Sequence, residues 1–266
     1  MNNAYPLDGP GTVDVRIASS ACVVTVGDTP QITVSVEPRT PGRAADEKAV
    51  ANSEVAFADG RLSVVVPEAR VVGLRGVQYG RALVSIGVPA GSALEFEAES
   101  GSLDVHGPLA TLSAQASSGS IKAEEVTGEV GVDSSSGKVV IGRSGGRADI
   151  TSSSGSVWIG EAVGELQCRT SSGKTVIGSA GGEIRLKTDS GRIRVESAGP
   201  GSVRAKSSSG SVSVAVAPGV GVETDLTRDS GKIRGDLAKG APAADGAGTL
   251  RLEVSTSSGS IEVSRA

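Results

Sequence analysis

Aromatic side chains are nearly missing from this sequence: one tryptophan, two tyrosines and two phenylalanines in 266 residues. A core built on large rings is therefore excluded, and apolar burial has to come from aliphatic residues. Only two cysteines occur, Cys22 and Cys168, far apart and in no metal-ligand or redox spacing, so neither a disulfide framework nor a zinc site is implied. Both fit a reducing compartment. A single histidine, His106, leaves little for imidazole-based catalysis or metal binding. Basic charge is not in excess; the net charge is −4, against the basic footprint of general nucleic-acid binding. No apolar run approaches the roughly 18 residues of a membrane helix. The opening "MNNAYPLDGPG" lacks a basic region followed by an apolar one, so no signal peptide is expected and a cytoplasmic location follows, with a surface location left open. Helix formers gather only in "GRAADEKAVANSEV", which is short and polar.

What the chain has instead is glycine, 38 residues of it, much of it in phase. A Ser-Gly pair recurs with its glycine at Gly101, Gly119, Gly137, Gly155, Gly173 and Gly191, each step 18 residues. It recurs again at Gly210, Gly231 and Gly259, with steps of 19, 21 and 28. Repeats of this kind are read before motifs, because they set the architecture.

Two positions after these glycines stand Leu103, Ile121, Val139, Val157, Thr175 and Ile193; four positions after them stand Val105, Ala123, Ile141, Ile159, Ile177 and Val195. Period-2 spacing of mostly β-branched residues predicts a short strand with one buried face. At eleven and thirteen a second pair follows, such as Leu166 with Cys168 and Ile184 with Leu186, predicting a second strand. Position fifteen is always small: Ala116, Ser134, Ser152, Thr170, Thr188. Two short strands cannot bury their own apolar face, but stacked units can. The expected fold is all-β, a parallel β-solenoid of about 18 residues per coil with rungs about 4.8 Å apart. The hand follows the right-handed preference of parallel connections. Two main faces fit the halving of the repeat. A third is also open, since Val126, Ser144, Ala162, Ala180 and Ala198 at the seventh position could point inward. The glycine at each corner is expected to supply turn dihedrals that other residues resist.

Residues 1–100 alternate without the glycine phase and read as an irregular β region, a cap or longer coils, with an excursion near 38–60. Residues 101–266 form the regular solenoid. A Gly/Ala-rich insertion, residues 235–249, accounts for the 28-residue step, and the final coil is expected to stop as an edge strand.

Several motifs suggest chemistry and do not sustain it. "GRSGG" at 142–146 matches G-x-S-x-G, but no helix follows and His106 is the only base. "SSGKT" at 171–175 lacks the first glycine of a phosphate loop. The Gly-Gly pairs lack the aspartate of calcium β-rolls. Outward positions of the second strand read Ser113, Gly131, Asp149, Gln167 and Arg185, with no facing carboxylates for glycoside hydrolysis. No catalytic residue, metal or cofactor is expected. Cys168 falls at a core position, where an inert thiol is expected.

Two outward columns remain as candidate interaction surfaces. Trp158 points outward between Val140 and Val176, an apolar stripe on a polar ladder. It is either covered by the same chain or offered to a partner, including a second copy. Beside the corners, Lys138, Lys174, Arg192 and Lys232 form a basic column, which could hold an anion or serve as a solvated face.

The repeat "SSSGSVxIGxxxGxLxxxTSSGK" resembles the bacterial β-strand-repeat family of unknown function proposed to be adhesins, clearly over residues 100–266 and loosely before them. The resemblance implies a non-enzymatic binding or scaffold protein, with protein, self-association or carbohydrate as partners, and carries no catalytic residues across. A remoter resemblance is to bactofilins, cytoplasmic β-helices that polymerise end to end. This chain lacks their short, fully apolar coils, but a self-assembling filament is the alternative reading, with a carbohydrate-active enzyme behind it.

Overall fold

A computed structural model describes residues 1–73, 76–235 and 248–266. The chain forms two compact units, Met1–Gly137 and Lys138–Ala266. Strands dominate both. Among the described residues no helix is long and apolar enough to cross a membrane.

In the first unit the strands are β1 (Asn2–Pro6), β2 (Thr12–Ile17), β3 (Ala21–Gly27), β4 (Gln31–Pro38), β5 (Glu54–Ala58), β6 (Arg61–Val66), β7 (Ala69–Gly73), β8 (Gly76–Gly80), β9 (Ala82–Pro89), β10 (Ala93–Ala98), β11 (Ser102–Leu109) and β12 (Thr111–Val126). Helix α1 (Ala44–Ala51) lies between β4 and β5, inside the segment expected as an excursion. Two parallel ladders carry the core. One runs β6–β2–β10–β12 through Leu62, Val13, Leu94 and Leu112; the other runs β9–β3–β11–β12 through Val84, Cys22, Leu103 and Ile121. All eight side chains are buried.

Spatial order departs from chain order here. The first rung in sequence, β2 with β3, lies between β6/β9 and β10/β11. Beyond it, β5 pairs antiparallel with β6, β4 with β9, and β1 with β4. Antiparallel strands thus cover edges that parallel rungs would leave open. The glycine phase fails here for a local reason. Ser20 occupies a corner, its hydroxyl accepts the Ala82 N–H at 2.9 Å, and its carbonyl accepts the Ser102 N–H.

A long strand, β13 (Val130–Ser144), leads into the second unit. There follow β14 (Ala148–Ser152), β15 (Ser156–Ala162), β16 (Leu166–Thr170), β17 (Lys174–Thr188), β18 (Arg192–Ser207), β19 (Ser211–Val216), β20 (Gly221–Gly235) and β21 (Thr249–Arg265). One inward column is Val139, Val157, Thr175, Ile193, Val212 and Ile261, continued in register by Ile233, which is exposed at the end strand. The other is Ile150, Cys168, Leu186, Ala205, Val254, Leu226. Alternation in sequence becomes columns in space because parallel pairing keeps the register. The seventh-position residues Val126, Ser144, Ala162, Ala180 and Ala198 are all buried.

The last coil is not the edge strand expected of it. β21 lies inside the stack, between β18/β19 on one side and β20 on the other. The composition explains the exchange. β21 carries Leu250, Leu252, Val254, Ile261 and Val263, all buried, and needs neighbours on both sides. β20, "GVETDLTRDSGKIRG", has fewer apolar residues and is largely exposed, which suits the end position. Most of the 235–249 insertion, residues 236–247, lies outside the described residues.

The corner glycines also serve a different purpose from the one expected. Of the nine, only Gly231 has a positive φ, +112°. The requirement is space. A Cβ on Gly119 or Gly137 would collide with the carbonyl oxygen of the glycine one rung earlier. So would a Cβ on Gly173, Gly191, Gly210 or Gly259, and one on Gly231 would strike Gly259 O. Glycine recurs at the corner because only a backbone without a side chain lets successive rungs close to hydrogen-bonding distance.

Three residues before the corner glycines stand buried hydroxyls, unevenly satisfied. Ser152 Oγ accepts the Gly155 N–H at 3.2 Å and Thr188 Oγ1 the Gly191 N–H at 3.0 Å. Ser134, Thr170, Ser207 and Thr256 have no hydrogen-bond partner for theirs. The two groups predict opposite responses. Thr170→Val removes an unmatched hydroxyl and should leave stability unchanged or slightly raised. Thr188→Val orphans the Gly191 N–H and should cost about 1–3 kcal/mol. Urea titrations of the two variants, followed by Trp158 fluorescence, give the comparison; equal losses would contradict it.

Candidate functional site

The outward face of β13, β15, β17, β18 and β19 carries both candidate columns. Pairing puts Val140 beside Trp158, Trp158 beside Val176, Val176 beside Arg194 and Arg194 beside Ser213. Val140 is half-buried, Val176 is 7% exposed and Trp158 is 40% exposed. The indole lies over Gly160: a Cβ there would sit 2.9 Å from Trp158 Cη2 and 3.3 Å from Cζ3. Gly160 was no part of the expected site, although the sequence holds the signal. Gly142, Gly160 and Gly178 recur five residues after successive corner glycines, at outward positions where a side chain is otherwise expected.

Two residues back along each strand runs the basic column. Its register reads Lys138, Ser156, Lys174, Arg192, Ser211, and at the end of the unit Lys232 pairs with Ser260. The four cations are exposed, and among the described residues none is in an ion pair. Arg192 Nε donates to Ser211 Oγ at 3.3 Å. Residues two apart on a strand are separated by roughly 7 Å and rungs by roughly 4.8 Å. Lys174 and Lys138 therefore stand diagonally on either side of Trp158. Arg194 extends the positive charge onto the tryptophan's own ladder. On the other side of the stripe Arg143 Nε and Glu161 Oε2 form a pair at 3.0 Å.

The tempting motifs take ordinary structural places. Ser144 of "GRSGG" is buried and its hydroxyl has no partner. His106 lies on an exposed ladder, Nδ1 at 3.0 Å from Glu124 Oε1 and Nε2 at 3.7 Å from Asp104. The Glu124 hydrogen bond raises the His106 pKa, and the same bond, with the Gly107 N–H behind it, lowers that of Glu124. Asp149 accepts from Gln167 Nε2 at 2.8 Å and lies 3.6 Å from Arg169. The same outward column continues through Arg185 and Arg204 to Glu253 and Asp225, and Glu253 accepts from Arg204 Nε at 2.9 Å. An open groove of about 520 Å³ in the first unit is lined by Arg16, Glu68, Glu97, Glu99 and Asp133. Even so, no cluster of three or more His, Cys, Asp or Glu among the described residues could hold a metal.

Both cysteines are buried and free. Desolvation pushes each thiol up to about 12. Cys168 sits between Ile150 and Leu186 in the inner column. A thiol that stays protonated and out of reach is a poor nucleophile. Native protein should therefore resist a maleimide over the time in which urea-unfolded protein labels twice; rapid native labelling at Cys168 would contradict the packing.

Rungs stacked in parallel register around an aliphatic core, with glycine at the corners, define a β-solenoid-like repeat protein. Residues 14–264 match Toastrack DUF4097, and the chain belongs to that family, a domain of unknown function. Three solved structures are similar. One is a "putative adhesin" from Bacteroides fragilis NCTC 9343: 14% identity, 99% of this chain and 96% of that one, TM-score 0.42. Another, from Parabacteroides merdae ATCC 43184 and named in the same way, has 13% identity, covers 100% and 95%, and gives a TM-score of 0.37. A cell-adhesion protein, also named as unproven, comes from Clostridium sporogenes ATCC 15579, with 10% identity, coverage of 100% and 99%, and a TM-score of 0.25. No curated protein matches the chain.

Proposed function

We propose that this chain is a non-enzymatic binding protein, adhesin-like in the sense of the names above. Its binding face is Trp158 with the half-buried Val140, seated beside the buried Val176 and flanked by Lys138, Lys174 and Arg192, with Lys232 at the far end of the same column. The scaffold in this reading is a right-handed coil of 18 residues per turn, whose purpose is to hold an outward column rigid and in register. One observation carries it. The only aromatic residue of the second unit is left 40% exposed over a glycine, beside cations with no acidic partner. Tryptophan and arginine are enriched among residues that dominate binding energy. Cations left unpaired in an acidic chain are free to meet an external charge.

Trp158→Ser separates this from a packing role. On a binding face the variant keeps its stability to within about 1 kcal/mol, as exposed substitutions do. Its retention on an array of surface glycans and matrix proteins falls at least tenfold. If the ring serves packing by the same chain, the cost is instead about 3 kcal/mol or more. Undiminished retention on the array would refute the face.

A further inference from the structure

The same face specifies a ligand class, and we infer that it binds an acidic polysaccharide, one sugar ring seated on Trp158 and its negative groups met by Lys174, Arg192 and Lys138. This rests on the binding-face reading above and adds the chemistry of the ligand.

Three features converge on a saccharide. The indole lies over Gly160 with 40% of the residue exposed, and beside it the wall is low, because Gly142, Gly160 and Gly178 present no side chains. A low wall beside an exposed ring suits the flat C–H face of a pyranose. The neighbouring column mixes cations with hydroxyls: Lys138, Ser156, Lys174, Arg192, Ser211. Hydroxyls beside the ring serve sugar hydroxyls, and the ammonium and guanidinium groups serve carboxylate or sulfate, arginine in a two-pronged geometry. The cations also stand in line. Lys174 and Arg192 are one rung apart, roughly 5 Å, and Lys138 is two rungs, roughly 10 Å, from Lys174. A linear polymer with a negative group on each repeat, lying along the stack, meets them in succession. No carboxylate stands in this column between Lys138 and Ser211 to compete.

Other macromolecules fit less well. A protein partner would be expected to bury a larger apolar core than one tryptophan and the half-buried Val140. Single-stranded nucleic acid stacks successive bases on successive aromatics, and this unit has one aromatic.

The test is titration of the whole chain, read by Trp158 fluorescence and by calorimetry. The probes are hexagalacturonate, a heparin hexasaccharide, methyl-esterified hexagalacturonate, maltohexaose and a thymidine oligonucleotide. At least one of the two acidic sugars is expected to bind and perturb the fluorescence. It should bind at least tenfold more tightly than either neutral sugar and more weakly as salt rises. Affinity should fall at least tenfold in Trp158→Ser, and again in Lys174→Ser with Arg192→Ser; unchanged melting temperatures exclude unfolding as the cause. Binding of neither acidic sugar overturns the inference, as does equal binding of a neutral sugar or tighter binding of the oligonucleotide. In each of those cases the array experiment still decides independently whether the Trp158 face binds at all.

Discussion

Gly173→Ala is expected to unfold the second unit's middle rungs at temperatures the parent chain survives. The added methyl would fall far inside van der Waals contact distance of the Gly155 carbonyl oxygen, and that oxygen is backbone with no rotamer into which to retreat. Relief requires β17 to lift from β15. That lengthens the ladder bonds from Lys174 to Ala180 and opens the column of Val157, Thr175 and Ile193. Overpacking of a tight interior costs 1–3 kcal/mol where side chains can shift. Against rigid backbone the expected loss is about 3 kcal/mol or more. Gly181→Ala is the internal control, since a Cβ there meets nothing nearer than 3.8 Å and the backbone φ is ordinary. Thermal unfolding followed by Trp158, which lies in the rung below, should separate the two variants by many degrees. Equal melting points would mean that the corner tolerates a side chain and that the 18-residue glycine has another cause.

Asp46→Ala is expected to loosen the first unit by about 3 kcal/mol, the range of charge-assisted bonds lost from a buried site. Asp46 is completely buried within α1. Its carboxylate accepts the Thr40 N–H at 3.0 Å and the Arg81 N–H at 2.9 Å, with Arg43 Nη1 at 3.1 Å. These bonds fasten the helix to the segments that end β4 and begin β9, the antiparallel pair at one edge of the stack. Removal leaves two backbone donors without their acceptor. Amide exchange at Thr40 and Arg81 should accelerate with the loss of stability, and Asp46→Asn should recover part of it. Exchange unchanged at both amides would show that the excursion is held by its apolar contacts alone.

How far the sequence discloses this molecule depends on which contacts repeat. Val157, Ile159, Leu166 and Cys168 are legible as core because each has an equivalent 18 residues away, and parallel pairing converts that spacing directly into contact. Spatial order at the two ends is not legible. That β2 and β3 lie inside β6 and β9, and β21 inside β20, depends on which strands most need neighbours on both sides. A linear reading of period assigns each coil to the next place in the stack. Asp46 is hidden for the same reason: its partners Thr40 and Arg81 belong to no repeat, and "AADEKAVA" by itself reads as a polar helix. The Trp158 stripe is readable as a column, since its register follows from the period. Its seat on Gly160 is not, because outward glycines look like loop residues until the indole is placed over one.

The stacking of successive rungs of the second unit in register underlies both its fold and its face, and a distance measures it directly. Nitroxide labels at Ser156 and Ser211, on the background Cys22→Ser with Cys168→Ser, occupy one outward column three rungs apart. At roughly 4.8 Å per rung the labels stand about 14 Å apart, close enough for dipolar broadening of the frozen-solution spectrum. Moving the first label to Lys174 should shorten the separation by one rung and increase the broadening. Spectra without broadening in both double-labelled proteins would contradict the stacked register and everything built upon it.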